Sequence, residues 1–268
     1  MAQIIPIDDP EDPRVAVYRQ VRERDLVGRQ GGFIAEGEVV LRVLLTGGGP
    51  HRAASLLLDG KRLDKLAPLI APLPEQVPVY VAGQAVLDAI AGFPIHRGIL
   101  AHGLRAPEVG VAEMLAALGA RALVLALHGI ANHDNMGGLF RNAAAFGVDA
   151  VLLDATSCDP LYRKAIRVSV GAALKVPFAR VAPGEDALAL LEAAGFDVLA
   201  LSPGGGRPLT GLTRPPRAAL LLGAEGPGLP QSLIDRAASV TIPMSAGFDS
   251  LNVATTSGIA LHHLTAGR

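Results

Sequence analysis

The chain reads as an α/β protein. Its larger, C-terminal part is a parallel sheet with helices on both faces, preceded by a smaller α/β unit. Three observations predict this. From about residue 120 onward, short apolar runs alternate with helical stretches, the pattern of βαβ units. Three of those runs are followed by loops rich in glycine and polar residues, at 128–138, 223–229 and 244–250. In open parallel sheets, ligands bind beyond the carboxyl ends of the strands. The length of 268 residues, half of them hydrophobic, suits one or two domains with a buried core.

The elements follow in order. Residues 1–13 hold Asp8, Asp9, Glu11 and Asp12 and no base, and read as an extended or disordered leader. Residues 14–106 form the smaller unit. A helix starts near Val15. The segment FIAEGEVVLRVLL then passes from a short apolar start into a helix. Val39, Val40, Val43 and Leu44 fall on one face of that helix. The sequence GGGP stops it. Strand SLLLD, a helix over about 61–70, strand VPVYVA and a short helix over about 84–90 complete the unit. Residues 107–119 make a linker and connecting helix, VAEMLAAL.

Residues 120–268 begin with strand ALVLAL at 122–127 and a helix through Phe146. Strand AVLLD at 150–154 and a helix near 162–173 come next, then a strand near 177–181, helix EDALALLEAAG and strand DVLALS. Strand AALLLG precedes a glycine loop and a helix from Pro230; strand SVTIPM at 239–244 precedes the last helix.

Composition excludes several classes. No stretch of about 18 uncharged apolar residues suggests a membrane span. The acidic N-terminus is unlike a secretory signal, so a cytoplasmic protein is expected. The single cysteine, Cys158, leaves no intramolecular disulfide and no multi-cysteine metal site. The seven histidines lack paired-ligand spacing, and no metal is expected. Net charge is −1, which is no nucleic-acid coat. Locally, however, residues 14–65 hold ten bases and six acids, and Arg163, Lys164 and Arg167 make a second basic group.

Three motifs carry chemistry. The first is NMGGLFRNAAAFG, from Asn135 to Gly147. Asn135 near a helix start reads as a cap and Arg141 as a surface cation; alternatively, Arg141 holds a phosphate with its planar fork. The second is GAEGPGL, with Gly223, Gly226 and Gly228 between a strand and a helix. It is either a tight turn or a place where a ligand approaches backbone closely. Its spacing is neither a dinucleotide fingerprint nor a P-loop. Glu225 disfavours a polyphosphate and suits a cationic ligand. The third is IPM followed by SLNV, where Ser250 reads as the cap of the last helix and Asn252 stands in its first turn.

Together, in this order, the motifs closely resemble the SpoU (TrmH-type) RNA 2′-O-ribose methyltransferases of the SPOUT superfamily. The pattern N-x-G-x-x-x-R-N-A-x-x-F-G runs from Asn135, and DPLYRKAIRVSVGA looks like the family's basic segment between motifs. The resemblance covers about 120–268; more weakly, 30–100 looks like the family's RNA-binding domain. The loop SAGFD departs from the commoner glycine-richer form.

The resemblance implies a trefoil-knotted C-terminal domain and a homodimer formed through it. It implies S-adenosylmethionine (AdoMet) as methyl donor, S-adenosylhomocysteine as product, and no metal. Leu201, Ser202, Gly223, Glu225, Gly228, Ile242, Met244 and Leu251 are expected to line the cofactor pocket. Arg141, Asn135, Ser250, Asn252 and Glu225 are the expected catalytic group. Arg22, Arg24, Arg29, Arg163, Lys164 and Arg167 are the expected RNA contacts, with ribosomal RNA favoured over transfer RNA. Low aromatic content, with no Trp and three Tyr, speaks for recognition by RNA shape over base stacking. Two other readings compete: a non-catalytic structured-RNA-binding protein, and an α/β enzyme for another adenosine-containing ligand.

Overall fold

A computed structural model describes residues 2–19, 31–95, 97–204, 206–245 and 250–266. The chain forms two compact units, Met1–Pro107 with Leu161–Lys175, and Glu108–Pro160 with Val176–Arg268.

The first unit is built on five strands: β1 (Ile4–Ile7), β2 (Gly32–Glu36), β3 (Arg52–Asp59), β4 (Val79–Ala82) and β5 (Ile99–Leu104). Their order is β1-β4-β3-β5-β2. β1 and β3 flank β4 in parallel, while β5 runs antiparallel to β3 and β2. The expected leader is thus in part a strand. Its Pro6 is tolerated because β1 lies at the sheet edge, and the acidic run follows the strand, where Asp12 caps a 3₁₀ turn, Pro13–Tyr18.

Three helices follow their strands: α1 (Glu38–Thr46), α2 (Leu63–Ile70) and α3 (Gln84–Ala91). α1 buries Val40, Leu41 and Leu44, whereas Val39 is 51% exposed. The buried stripe is rotated by one residue from the expected one and centres on Leu41. Ile7, Val15, Leu57, Leu87, Ile90 and Leu100 make a core on one side of this sheet.

The second unit opens with α4 (Val111–Ala116), the expected connecting helix. It continues through β6 (Ala122–His128), α5 (His133–Ala145) and β7 (Ala150–Leu153). Here the chain leaves the unit: α6 (Arg163–Val168) and a 3₁₀ turn (Ala172–Leu174) belong to the first. The helix expected near 162–173 is broken because Val170 and Gly171 adopt positive φ, 55° and 84°. The Ser169 hydroxyl stabilises that break, donating to the Ile166 carbonyl and accepting from the Ala173 amide.

The chain returns as β8 (Phe178–Arg180), α7 (Ala187–Ala193), β9 (Asp197–Leu201), β10 (Arg207–Pro208), β11 (Arg217–Gly223), α8 (Gln231–Ile234), β12 (Ala238–Thr241) and α9 (Val253–Thr265). Seven strands pair in the order β10-β12-β9-β11-β6-β7-β8, every pair parallel. The strand expected at 239–244 ends at Thr241, before Pro243, which offers no N–H to a ladder.

β6 and β11 are buried almost throughout, as strands covered on both faces are. Alternate residues Val124, Leu221 and Val198 face Leu115, Leu188 and Leu191 of α4 and α7. α5 and α9 pack on each other, with α9 also against β11. Their close approach relies on small residues: a Cβ at Gly138 would crowd the Ala254 methyl. Asn142 ties the pair, its Nδ2 donating to the Ala254 carbonyl at 2.6 Å and to Ser257 Oγ at 2.8 Å. Among the described residues, no helix is long and apolar enough to cross a membrane.

In the first unit, Gly103 on β5 pairs with Phe33 on β2, and a Cβ there would overlap the buried Phe33 ring. Gly103→Ala is expected to lower stability by about 1–3 kcal/mol in chemical denaturation. Gly110→Ala, at a position with open space and φ −66°, should stay within about 0.5 kcal/mol of wild type.

Candidate functional site

The carboxyl ends of β9 and β11 and the segment after β12 surround a cavity of about 690 Å³. The eight residues expected around a cofactor, Leu201, Ser202, Gly223, Glu225, Gly228, Ile242, Met244 and Leu251, all line it. Leu222, Leu229, Ile234, Val253 and Thr256 line it too. As ordinary strand-end and helix residues, these carry no distinguishing signal in the sequence.

The backbone shapes one wall. After Gly223 the chain turns so tightly that the Gly228 amide donates to the Ala224 carbonyl at 3.1 Å. Gly226 and Gly228 have φ of +86° and +68°, which side-chain-bearing residues rarely adopt. A Cβ at Gly223 would overlap the Gly228–Leu229 peptide. The lining also includes the apolar Leu201, Ile242, Met244 and Leu251, the last still 45% exposed.

At the mouth, one amide joins all three motifs. Asn252 Nδ2 donates to Asn135 Oδ1 at 2.9 Å and to Glu225 Oε1 at 2.7 Å. Its Oδ1 accepts from the amides of Ala254 and Thr255 at 3.0 and 3.2 Å, capping α9. Two donors and one twice-used acceptor leave no alternative orientation for this side chain. The cap of the last helix is therefore Asn252 and not Ser250, which lines the cavity two residues earlier. Likewise α5 is capped by Asn132, accepting from the Asp134 amide, and Asn135 is a buried residue of the first turn.

Arg141 stands apart from this cluster. It is exposed on α5, does not line the cavity, and makes no hydrogen bond or ion pair among the described residues. Six residues beyond Asn135, it projects about 120° around the helix from it. The structure therefore joins Asn135, Glu225 and Asn252 at the cavity mouth and leaves Arg141 with an unspent guanidinium on another face.

Beside the cavity, His128 at the end of β6 pairs in register with Gly223. Its Nδ1 lies 3.5 Å from Asp154 Oδ2. Asp154 Oδ1 accepts from the amides of Gly129 and Ser157 at 3.1 and 2.9 Å and from the Ser157 hydroxyl; Thr156 donates to Oδ2. Burial pushes the Asp154 carboxyl up, but these hydrogen bonds outweigh it and hold the group below the ordinary carboxylate range. The carboxylate thereby fixes the start of the loop that leads to Asn135.

Of the expected RNA contacts, Arg22, Arg24 and Arg29 lie outside the described residues. Arg163, Lys164 and Arg167 lie on α6, in the first unit. Arg163 and Arg167 approach the buried Glu36 carboxylate at 3.5 and 3.8 Å, and Lys164 is exposed. Among the described residues, no group of three or more His, Cys, Asp or Glu is placed to hold a metal ion.

The model of the SpoU rRNA Methylase family matches residues 122–262. An uncharacterized tRNA/rRNA methyltransferase of Mycobacterium tuberculosis is 40% identical over 268 residues, covering 96% of this chain and 90% of its own. The 23S rRNA (guanosine-2'-O-)-methyltransferase RlmB of Salmonella typhi is 30% identical over 212 residues, covering 77% of this chain and 87% of its own. The crystal structure of an AdoMet-bound rRNA methyltransferase from Sinorhizobium meliloti has the same fold, with a TM-score of 0.80 at 23% identity and 98% of each chain covered. So does the SpoU methyltransferase AviRb from Streptomyces viridochromogenes, with a TM-score of 0.77 at 22% identity, covering 95% of this chain and 98% of that one.

Two expectations follow. Asn252→Ala removes the cap of α9 and should cost about 1 kcal/mol in chemical denaturation, while Asn252→Asp, which keeps the accepting oxygen, should retain most of that cap. The depressed Asp154 carboxyl contributes stability above its unfolded value near ~4 and loses it as pH falls through its folded value. The stability gap between wild type and Asp154→Asn, followed by denaturation against pH, should therefore narrow below about pH 4.

Proposed function

Because the chain belongs to the SpoU rRNA methylase family, we propose that it is an AdoMet-dependent RNA (ribose-2′-O)-methyltransferase acting on ribosomal RNA. The observation that carries the reading is the Asn252 amide, which draws Asn135 and Glu225 together at the mouth of a cavity lined by the second and third motifs.

The cavity suits the cofactor. AdoMet combines an aromatic base, a polar ribose and a cationic sulfonium with its amino-acid tail. The apolar wall of Leu201, Ile242, Met244 and Leu251 suits the first, and the peptide groups of the Gly223–Gly228 loop suit the second. Glu225 offers negative charge at the mouth for the third. Leu251, apolar and half-exposed, is a surface that a ligand would cover. When bound, AdoMet supplies an already activated methyl group, so the protein's task is positioning.

The residues divide that task. Asn252 holds Glu225 and Asn135, and so keeps the glycine loop, the start of α5 and the start of α9 in one arrangement. Arg141 supplies fixed positive charge. A guanidinium stays protonated in proteins, so its role is to bind the neighbouring phosphate and stabilise negative charge developing on the 2′-oxygen. Ser250, at the cavity rim, orients ribose or phosphate.

Further elements belong to the same reading. Arg141 is unspent and distant from its own chain's mouth cluster, and Ile259 on α9 is 42% exposed. Both support a homodimer through α5 and α9 that completes each site. The packing of α9 against α5 and β11 fits the family's trefoil knot. The preference for ribosomal RNA is supported by the presence of the first unit and by the relatives whose names specify 23S rRNA. A cytoplasmic location accords with that substrate.

The test is transfer of labelled methyl from AdoMet to total RNA of a strain lacking the gene, followed by digestion to nucleosides. Label is expected in a 2′-O-methylnucleoside of ribosomal size classes. Arg141→Ala should lower kcat about a hundredfold or more while AdoMet affinity, measured by calorimetry, stays at the wild-type value, since Arg141 does not line the cavity. Label on a base, or no label together with no AdoMet binding, would sink the reading.

A further inference from the structure

The first unit carries a second feature outside the cavity. Phe93 is 37% exposed, in the turn that follows α3. The Arg163 guanidinium lies over its ring, 4.5 Å from the centroid. The ring is presented by a fixed loop. Two residues on, the Ile95 amide donates to Asp88 Oδ1 at 2.7 Å, Gln84 Nε2 donates to the Ile95 carbonyl at 3.0 Å, and the Ile95 side chain is buried.

Further cations gather near the carboxylate that Arg163 approaches. Arg163 and Arg167 converge on Glu36, and Arg97 lies against Gly37, the next residue. Lys164 is exposed beside them. One buried carboxylate thus anchors two of these four bases, Arg163 and Arg167. Arg167 is half-exposed and spends no N–H on a hydrogen bond among the described residues. Glu36 Oε2 is buried and likewise makes none, so it holds Arg167 by charge and leaves the Arg167 donors for other acceptors.

The geometry points to an RNA-docking surface here, in which Phe93, backed by Arg163, stacks an unpaired base while Arg167, Lys164 and Arg97 bind flanking phosphates. Charge complementarity together with a rigid ring favours RNA as the occupant. A nucleobase stacks on an aromatic face whatever its sequence, and guanidinium groups bind the backbone. A cationic rim does not suit a second copy of a chain whose net charge is near zero. The inference rests on the RNA reading above and adds a single stacking site to the shape recognition that the low aromatic content suggests.

The protein contains no tryptophan, so Phe93→Trp places a lone fluorescent reporter in the platform. The full-length protein is titrated with a labelled oligouridylate and with a blunt RNA duplex of equal length. Phe93→Leu should weaken oligouridylate binding about tenfold and duplex binding little, with AdoMet affinity retained. Phe93→Trp should bind oligouridylate as wild type does, with indole fluorescence quenched at saturation. Wild-type affinity in Phe93→Leu, or no quenching while anisotropy reports bound RNA, would overturn the inference and leave methyl transfer standing. A changed sedimentation coefficient in Phe93→Leu with unchanged RNA binding would assign the ring to contacts between copies and also overturn it. A wild-type protein that neither binds RNA nor transfers methyl would remove the functional reading itself.

Discussion

One side-chain amide constrains the candidate site more than any other group. Asn252 is held by four hydrogen bonds, two accepted from the start of α9 and two donated across the mouth of the cavity. A carboxylate could cap the helix but could not donate to Glu225, and alanine could do neither. The requirement for a donor on one side and an acceptor on the other explains why an amide stands there. It also makes the site a cooperative unit. The glycine loop, the first turn of α5 and the last helix are tied through one residue, so displacing any of them strains the other two.

The sheet prepares this arrangement. Parallel strands covered on both faces end at a common edge, and the loops beyond them have no ladder partners of their own. Local hydrogen bonds hold them. In the Asp154 turn a carboxylate gathers two amides and two hydroxyls, and after Gly223 the backbone closes on itself. Close packing of α5 on α9 completes the support, with Gly138 giving room and Asn142 supplying direction.

Legibility in the sequence followed the range of the forces involved. β6, β7, β9 and β11 are continuous apolar runs and could be read directly. The cavity lining was legible only through the resemblance of contiguous strand-end motifs to a known family, not from the residue pattern itself. β1 and β5 were hidden: Pro6 and the following acids disguise the first, while His102 and Gly103 disguise the second, whose glycine is explained only by Phe33 across the sheet. The capping roles of Ser250 and Asn252 were exchanged because both are good caps, and only the register of α9 decides between them. The positions of Arg141 and of α6 depend on contacts across long sequence separations, which no local pattern records.

The excursion of residues 161–175 has a consequence for how the chain is made. During synthesis, the first unit cannot be completed when Pro107 leaves the ribosome. It waits for the stretch through Lys175, by which time β6 and β7 have already emerged. Until then Glu36 lacks the arginines that neutralise it, and a buried anion without a partner disfavours the finished arrangement. Assembly of the two units is therefore interleaved in time. Neither is a contiguous stretch of the polypeptide, and a single cut in the chain does not release either one whole. A gene fragment encoding only the N-terminal part would lack its own final piece, and fusion or shuffling of these units would have to respect a boundary that the chain crosses three times.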